Sequence, residues 1–249
     1  MADPTRTAEA VWAAWTSGER MPALPDPPRD EAEGMAAQDA LRAFAGNSYG
    51  WKIAATSAAG QAHIGVSGPL PGPLFTRFRH APGDVLPSHD LHMRVVEAEF
   101  AFRMGADVHP GDDVLAAVEA LHLAVELPDS RFSNFAAVGP AQLLADCACA
   151  SRFVLGPEVP GWRELDLSTA GTALWINGEQ AARGTGAAVL GDPRTALARL
   201  ATELPRYGHR LRAGDVVTTG TTTPPPTIGP GDAIRADFGD LGSVSLTLR

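Results

Sequence analysis

The sequence predicts an α+β chain in which a β-rich body follows a helical N-terminal piece. Three observations point to this class. Apolar residues recur at helical spacing over roughly the first 45 positions, and short β-like runs bounded by Gly and Pro take over from position 51. Helical stretches interrupt those runs too irregularly for a regular βαβα alternation, which excludes a doubly wound parallel sheet.

Residues 7–18 set Ala8, Val11, Trp12 and Trp15 at helical spacing. The proline-rich stretch 21–28 ends that helix, because no helix continues through it. A second helix is expected over 30–45, opened by acids that suit a helix N-terminus and closed by Gly46-Asn47. Strands are expected at 51–55, 62–66, 93–104, 122–127, 172–176, 216–219, 233–238 and 243–248. Helices are expected at 113–120, 140–151 and 193–207, and a long loop at 224–232. The chain divides into an N-terminal helical, α+β segment of residues 1–70 and a body of residues 71–249.

Composition excludes several functions. The 249 residues carry 29 acids against 20 bases, a net charge of −9, which disfavours nucleic acid as a partner because duplex binding needs a basic stripe. No apolar run approaches the ~18 residues of a membrane span, and the N-terminus lacks a basic start and apolar core of the secretory kind. Cys147 and Cys149 read as two buried thiols, since a Cys-x-Cys bridge would be strained. A cytoplasmic protein without membrane contact is the expectation.

The run Val95-Val96-Glu97-Ala98-Glu99-Phe100 is the most informative. In a strand, Glu97 and Glu99 project from one face about 6.5–7 Å apart. Carboxylates among Val, Ala and Phe repel each other and lose hydration, and a divalent cation relieves both problems. Hard oxygen ligands favour Mg²⁺ or Mn²⁺ over Zn²⁺. Glu126, in Ala124-Val125-Glu126-Leu127, is a third acid in a comparable setting. An alternating strand with one wet face would produce the same Glu-x-Glu pattern.

Of the 20 basic residues, 19 are Arg, and the lone lysine, Lys52, lies in the apolar run Gly50-Trp51-Lys52-Ile53-Ala54. A buried lysine readily shifts its pKa downward and serves in proton transfer or carbanion stabilisation, whereas a lysine at a strand edge would only snorkel. Gly184-Thr185-Gly186 is a poor phosphate-binding motif. Thr219-Gly220-Thr221 could offer donors to an oxyanion, and His122 reads as a core residue rather than a ligand.

Read together, these segments resemble the fumarylacetoacetate hydrolase superfamily, in its branch of 2-keto-4-pentenoate hydratases and 4-oxalocrotonate decarboxylases. The matches include Gly50-Trp51-Lys52-Ile53-Ala54-Ala55, Val96-Glu97-Ala98-Glu99-Phe100, Glu126-Leu127-Pro128-Asp129-Ser130-Arg131, Leu190-Gly191-Asp192-Pro193 and Gly214-Asp215-Val216-Val217-Thr218-Thr219-Gly220-Thr221. The resemblance implies a mixed β-roll or sandwich body, Mg²⁺ or Mn²⁺ held by Glu97, Glu99 and Glu126, a catalytic Lys52, a small 2-oxo acid substrate and a homo-oligomer. On the same basis Leu70, Gln38, Arg131 and Thr221 are expected to face the substrate. Hydratases of this branch usually carry an acid after the Gly-Val segment, and Leu70 stands in its place here. The resemblance makes hydration of a 2-hydroxydienoate the first expectation, and Leu70 in place of the acid leaves room for other reactions. The alternatives are decarboxylation of a 4-oxalocrotonate-type acid, hydrolysis of an acylpyruvate or β-diketone, and a catalytically impaired metabolite-binding relative.

Overall fold

The computed structural model describes residues 2–249. Helix α1 (Pro4–Ser17) begins where the Asp3 carboxylate accepts from Thr5 N at 3.0 Å, has Pro at its start, and stops at Gly18, whose φ of 75° lies in the left-handed region. Helix α2 (Glu31–Ala40) is capped in the same way by Asp30, and the short α3 (Arg42–Ala45) follows. These helices bury Ala8, Val11, Ala37 and Leu41 with Phe132 and Ala145, so the N-terminal piece is packed onto the body.

Among the described residues, twelve strands form two sheets. Strands β1 (Ser48–Ala54), β2 (Leu70–Phe75), β3 (Arg79–His80), β5 (Glu97–Met104), β6 (Val118–Leu127), β7 (Arg152–Glu158) and β10 (Val216–Thr218) make the larger one, in the order β2-β1-β10-β5-β6-β7-β3. Strands β4 (Val85–Leu86), β8 (Gly171–Ile176), β9 (Glu179–Thr185), β11 (Ala233–Asp237) and β12 (Ser243–Leu248) make the smaller, in the order β4-β12-β11-β8-β9. One face of β5 and β6 presents Phe100, Phe102, Leu121 and Leu123 to Val244 and Leu246 of the smaller sheet and to Phe238 just past β11, and Phe100 meets Phe238 edge-on at 5.3 Å. Helix α6 (Pro193–Glu203) adds Ala196, Leu197 and Leu200 to that core. The mixed α+β body and helical N-terminal segment agree with the sequence reading.

Several local expectations are corrected. Residues 62–66 belong largely to helix α4 (Ala58–Ile64) rather than to a strand, because Ser57 caps Gly60 N and left-handed Gly65 closes the two turns. Residues 113–120 form turns that lead into β6, not a helix. Asp113 accepts from Leu115 N at 3.0 Å, and Val118 and Ala120 are taken by the ladder with Met104 and Arg103. Helix α5 (Pro140–Ala145) ends six residues short of the expected 151. β2 had no strand-like signature because it contains Pro71 and Pro73. It pairs with β1 alone, at the sheet edge, where a missing N–H is tolerated. The expected boundary between residues 70 and 71 falls inside β2, and β1 from before it shares a sheet with β5 to β7 from after it.

Candidate metal and catalytic site

Register assembles the carboxylates. Glu97 of β5 lies directly opposite Glu126 of β6, and Glu99 follows two positions along on the same face. That face turns away from the inter-sheet core. Farther along, the inside of the sheet is filled by Leu74, Ala101, Ala124, Phe153 and Val216. One ligand oxygen from each of Glu97, Glu99 and Glu126 lies within 4.8 Å of the others. An ion with bonds of about 2.1 Å sets its ligand oxygens roughly 3–4.2 Å apart, so small side-chain adjustments complete the fit.

Hydrogen bonding supports that fit. Glu99 and Glu126 are each 1% exposed, and Glu99 Oε1 and both carboxylate oxygens of Glu126 have no aligned hydrogen-bond donor. Glu99 Oε2 accepts from Gly220 N at 3.0 Å. Buried carboxylate oxygens without donors are costly unless a cation shares them. The donor set is oxygen alone, which suits a hard divalent ion.

Lys52 enters from β1, separated from β6 by β10 and β5. Three strand spacings come to about 14 Å on a flat sheet, yet Lys52 Nζ lies 3.3 Å from Glu126 Oε1, so the sheet curls to bring them together. The contact is an ion pair without hydrogen-bond alignment, and Nζ donates instead to Ala148 O at 3.0 Å.

Charge states follow from burial and these neighbours. Burial pushes the Glu126 carboxyl up to about 7 against the pull of Lys52. Burial, then repulsion by Glu126 and Glu97, holds Glu99 well above the ordinary carboxylate range. Burial raises Glu97 too, with Lys52 opposing. Burial alone would lower Lys52, as its apolar sequence context suggested, but attraction to Glu126 and Glu97 outweighs it and keeps the ammonium protonated.

A pH dependence follows. Between the ordinary value of 4.5 and about 7, the metal-free fold retains protons that an unfolded chain has released. Its stability therefore falls as pH rises through that window. A cation must displace those protons, so its apparent affinity should rise with pH over the same range. Titration calorimetry in two buffers of different ionisation enthalpy should show net proton release near pH 6, and binding without release would contradict the carboxylate assignment.

A cavity of about 680 Å³ opens onto Lys52 and Glu97. Its walls include Ile53, Ile64, Met93, Phe135 and Pro224, with Thr56, Thr221 and Thr223 as hydroxyl groups and His63 on α4. Thr221, one of the four residues expected to face substrate, is on the wall. The other three residues expected to face substrate do not line this cavity. Leu70 is 4% exposed and packs with Ile64, Leu143 and Leu144. Gln38 is 1% exposed, and its amide nitrogen, oriented to satisfy both groups, lies 2.8 Å from Leu144 O and 3.1 Å from Pro71 O. Arg131 is 1% exposed and paired with Asp146. Gly220, read as a donor to an oxyanion, spends its N–H on Glu99; a Cβ there would lie 1.9 Å from Thr56 Oγ1. Ala148, whose carbonyl receives Lys52, carried no functional signal in the sequence.

The chain is similar to several known proteins. Residues 62–249 match the fumarylacetoacetate (FAA) hydrolase C-terminal family. A 4-oxalocrotonate decarboxylase of Pseudomonas sp. strain CF600 is 37% identical over 200 residues, covering 79% of this chain and 75% of its own. A 2-keto-4-pentenoate hydratase of Paraburkholderia xenovorans strain LB400 is 32% identical over 247 residues, covering 95% and 91%. The structure of 4-oxalocrotonate decarboxylase from Pseudomonas putida G7, complexed with magnesium and adipate, superposes with a TM-score of 0.92 at 32% identity, over 99% of this chain and 97% of that one.

Proposed function

This chain belongs to the fumarylacetoacetate hydrolase family, and from that premise we propose that it is a metal-dependent lyase acting on a small 2-oxo acid, with hydration of a 2-hydroxydienoate as its reaction. The observation that carries the proposal is the cluster of Glu97, Glu99 and Glu126 on one buried face with the Lys52 ammonium against it. We propose Mg²⁺ or Mn²⁺ as the ion; when bound it supplies Lewis-acid polarisation of a 2-oxo group and stabilises enolate charge.

The chain's own groups account for the rest. Gly220 N orients the Glu99 carboxylate, and the ion pair with Glu126 holds Lys52 at the cavity. In the proposed reaction Lys52 Nζ donates a proton to the enolate carbon and then takes one from the water whose oxygen bonds to the alkene, which restores the ammonium. The largely apolar wall lowers the local dielectric around the reacting atoms, which strengthens the electrostatic contacts within. A cytoplasmic homo-oligomer is part of the same proposal, supported by family membership. Among the described residues no helix is long and apolar enough to cross a membrane.

The wall favours hydration over decarboxylation of a dicarboxylate. Beyond the carboxylates the cavity is lined by Ile64, Met93, Phe135 and Pro224, and besides Lys52 the lining side chain able to carry positive charge is His63. An uncharged substrate tail fits that lining, whereas a second carboxylate would be desolvated against it. Decarboxylation remains the second reading because Leu70, buried among Ile64 and Leu143, supplies no acid to activate water. With Mg²⁺ present, loss of ultraviolet absorbance and product identification should show water addition to 2-hydroxypenta-2,4-dienoate. Release of CO₂ from 4-oxalocrotonate, without hydration of the dienoate, would establish the second reading. Turnover of an acylpyruvate alone would replace both with hydrolysis.

A further inference from the structure

Between α5 and β7 the backbone does something the sequence does not announce. Cys147, Ala148 and Cys149 have φ values of 54°, 50° and 63°, three successive non-glycine residues in the left-handed region. L side chains avoid that region, and a run of three persists only where the surroundings over-determine it. The turn reaches the catalytic face, since Ala148 and Cys149 line the cavity and the Ala148 carbonyl accepts from Lys52 Nζ at 3.0 Å.

We propose that Arg131 is a positioning residue for Lys52, acting through this turn. Its guanidinium spans the two flanks: Nη2 donates to Asp146 O before the turn, and Nη1 donates to Ala150 O after it at 2.9 Å. Its Nε also donates to the Asp146 carboxylate, which accepts a second bond from Ser130 Oγ at 2.7 Å. The ring of Trp15 lies 3.9 Å from the guanidinium carbon and covers it from the N-terminal helix. Within the turn, Ala150 N donates to Cys147 O at 2.9 Å, and Asp129 N donates to Cys149 O at 2.9 Å. Strand β2 makes room from the opposite side, because a Cβ on Gly72 would stand 2.1 Å from Cys147 O. The planar fork of arginine reaches two carbonyls and a carboxylate at once, which a lysine ammonium at the end of a flexible stem does not reproduce. Clamped in this way, the turn presents a fixed carbonyl on one side of Nζ while Glu126 stands 3.3 Å away. The ammonium is thereby aimed, and Arg131 reaches no substrate itself.

The inference rests on Lys52 being the proton-handling group of the proposed function, but its test reads the lysine directly. Lys52 is the chain's single lysine, so protein labelled with ¹³C-lysine gives one side-chain Cε signal, readable without substrate. In the wild type that signal should be a single resonance with two inequivalent Hε protons, the mark of an immobilised side chain. Arg131→Lys adds a second lysine signal, which the Arg131→Lys, Lys52→Arg double variant identifies, so the Lys52 signal is still read separately. The single variant Arg131→Lys should remain folded by circular dichroism and keep cation affinity within about threefold, while the Lys52 Hε protons become equivalent or the signal broadens. On an active substrate its kcat should fall about 10- to 100-fold with KM within about threefold, the range typical of groups that orient a functional residue. Asp146→Asn keeps the shape of the side chain and the backbone carbonyl but removes the charge that holds the Arg131 guanidinium, and should perturb the same signal. If Arg131→Lys folds and the Lys52 resonance is unchanged, the proposal is overturned. If Arg131→Lys does not fold, Asp146→Asn decides, and an unperturbed resonance there overturns it equally. A perturbed resonance in an enzyme that turns over none of the offered substrates would uphold the positioning role while refuting the lyase reading.

Discussion

Replacing Glu99 with glutamine is expected to weaken divalent cation binding by about 100-fold or more, while leaving the metal-free protein at least as stable as the wild type. Glu99 is 1% exposed; Oε2 accepts from Gly220 N and Oε1 has no donor. A glutamine of the same shape still accepts from Gly220 N, and its amide N–H groups face Glu97 and Glu126, placing a donor among acceptors. The metal-free protein loses a repulsive, desolvated carboxylate that already holds its proton more tightly than usual. The cation loses one of three charged ligands, and a 100-fold loss corresponds to about 2.7 kcal/mol. Calorimetric titration with Mg²⁺ or Mn²⁺ should show the loss. Melting in chelator should show an unchanged or higher Tm, and the Tm increase on adding metal should shrink. Full cation affinity in Glu99→Gln would remove Glu99 from the ligand set.

Lys52→Arg should have the largest effect on turnover, lowering kcat by about 10²- to 10⁴-fold, the contribution typical of a positioned acid or base. Arginine keeps the positive charge opposite Glu126, so fold and cation binding should survive. It holds its proton throughout the working pH range and spreads its charge over a planar fork. The space is also restrictive: Lys52 Nζ is held between Ala148 O at 3.0 Å and Glu126 Oε1 at 3.3 Å, in a residue 3% exposed. Single-turnover measurements on the variant, beside its circular dichroism and metal titration, separate lost chemistry from lost structure. Near-normal turnover would make Lys52 a structural counter-charge to the glutamates.

Much of this site could be read from local pattern because strand geometry is local. The period of two puts Glu97 and Glu99 on one face wherever β5 lies, and Val, Ala and Phe beside them show that the strand is buried. A lysine alone among 19 arginines was conspicuous for a related reason: its position was apolar. The errors arose where local signals compete. Ser57 and Gly65 cap a helix too short for periodicity to register, and Asp113 folds a turn out of a segment with helical composition. Gln38, Leu70 and Arg131 lie in segments that resemble a family, but resemblance in order along the chain does not say which side chains reach a cavity.

The sequence by itself determined the class of fold, and it singled out the three acids and the lysine that the structure brings together. Those depend on alternation, burial and side-chain type, which neighbouring residues express. Tertiary structure alone decided that Lys52 meets Glu126 across two intervening strands, because curl accumulates over a whole sheet and no single strand encodes it. It also decided the left-handed turn at 147–149. No glycine marks that turn; it is maintained by Arg131, Asp146 and the opening at Gly72, contacts between segments far apart in the chain.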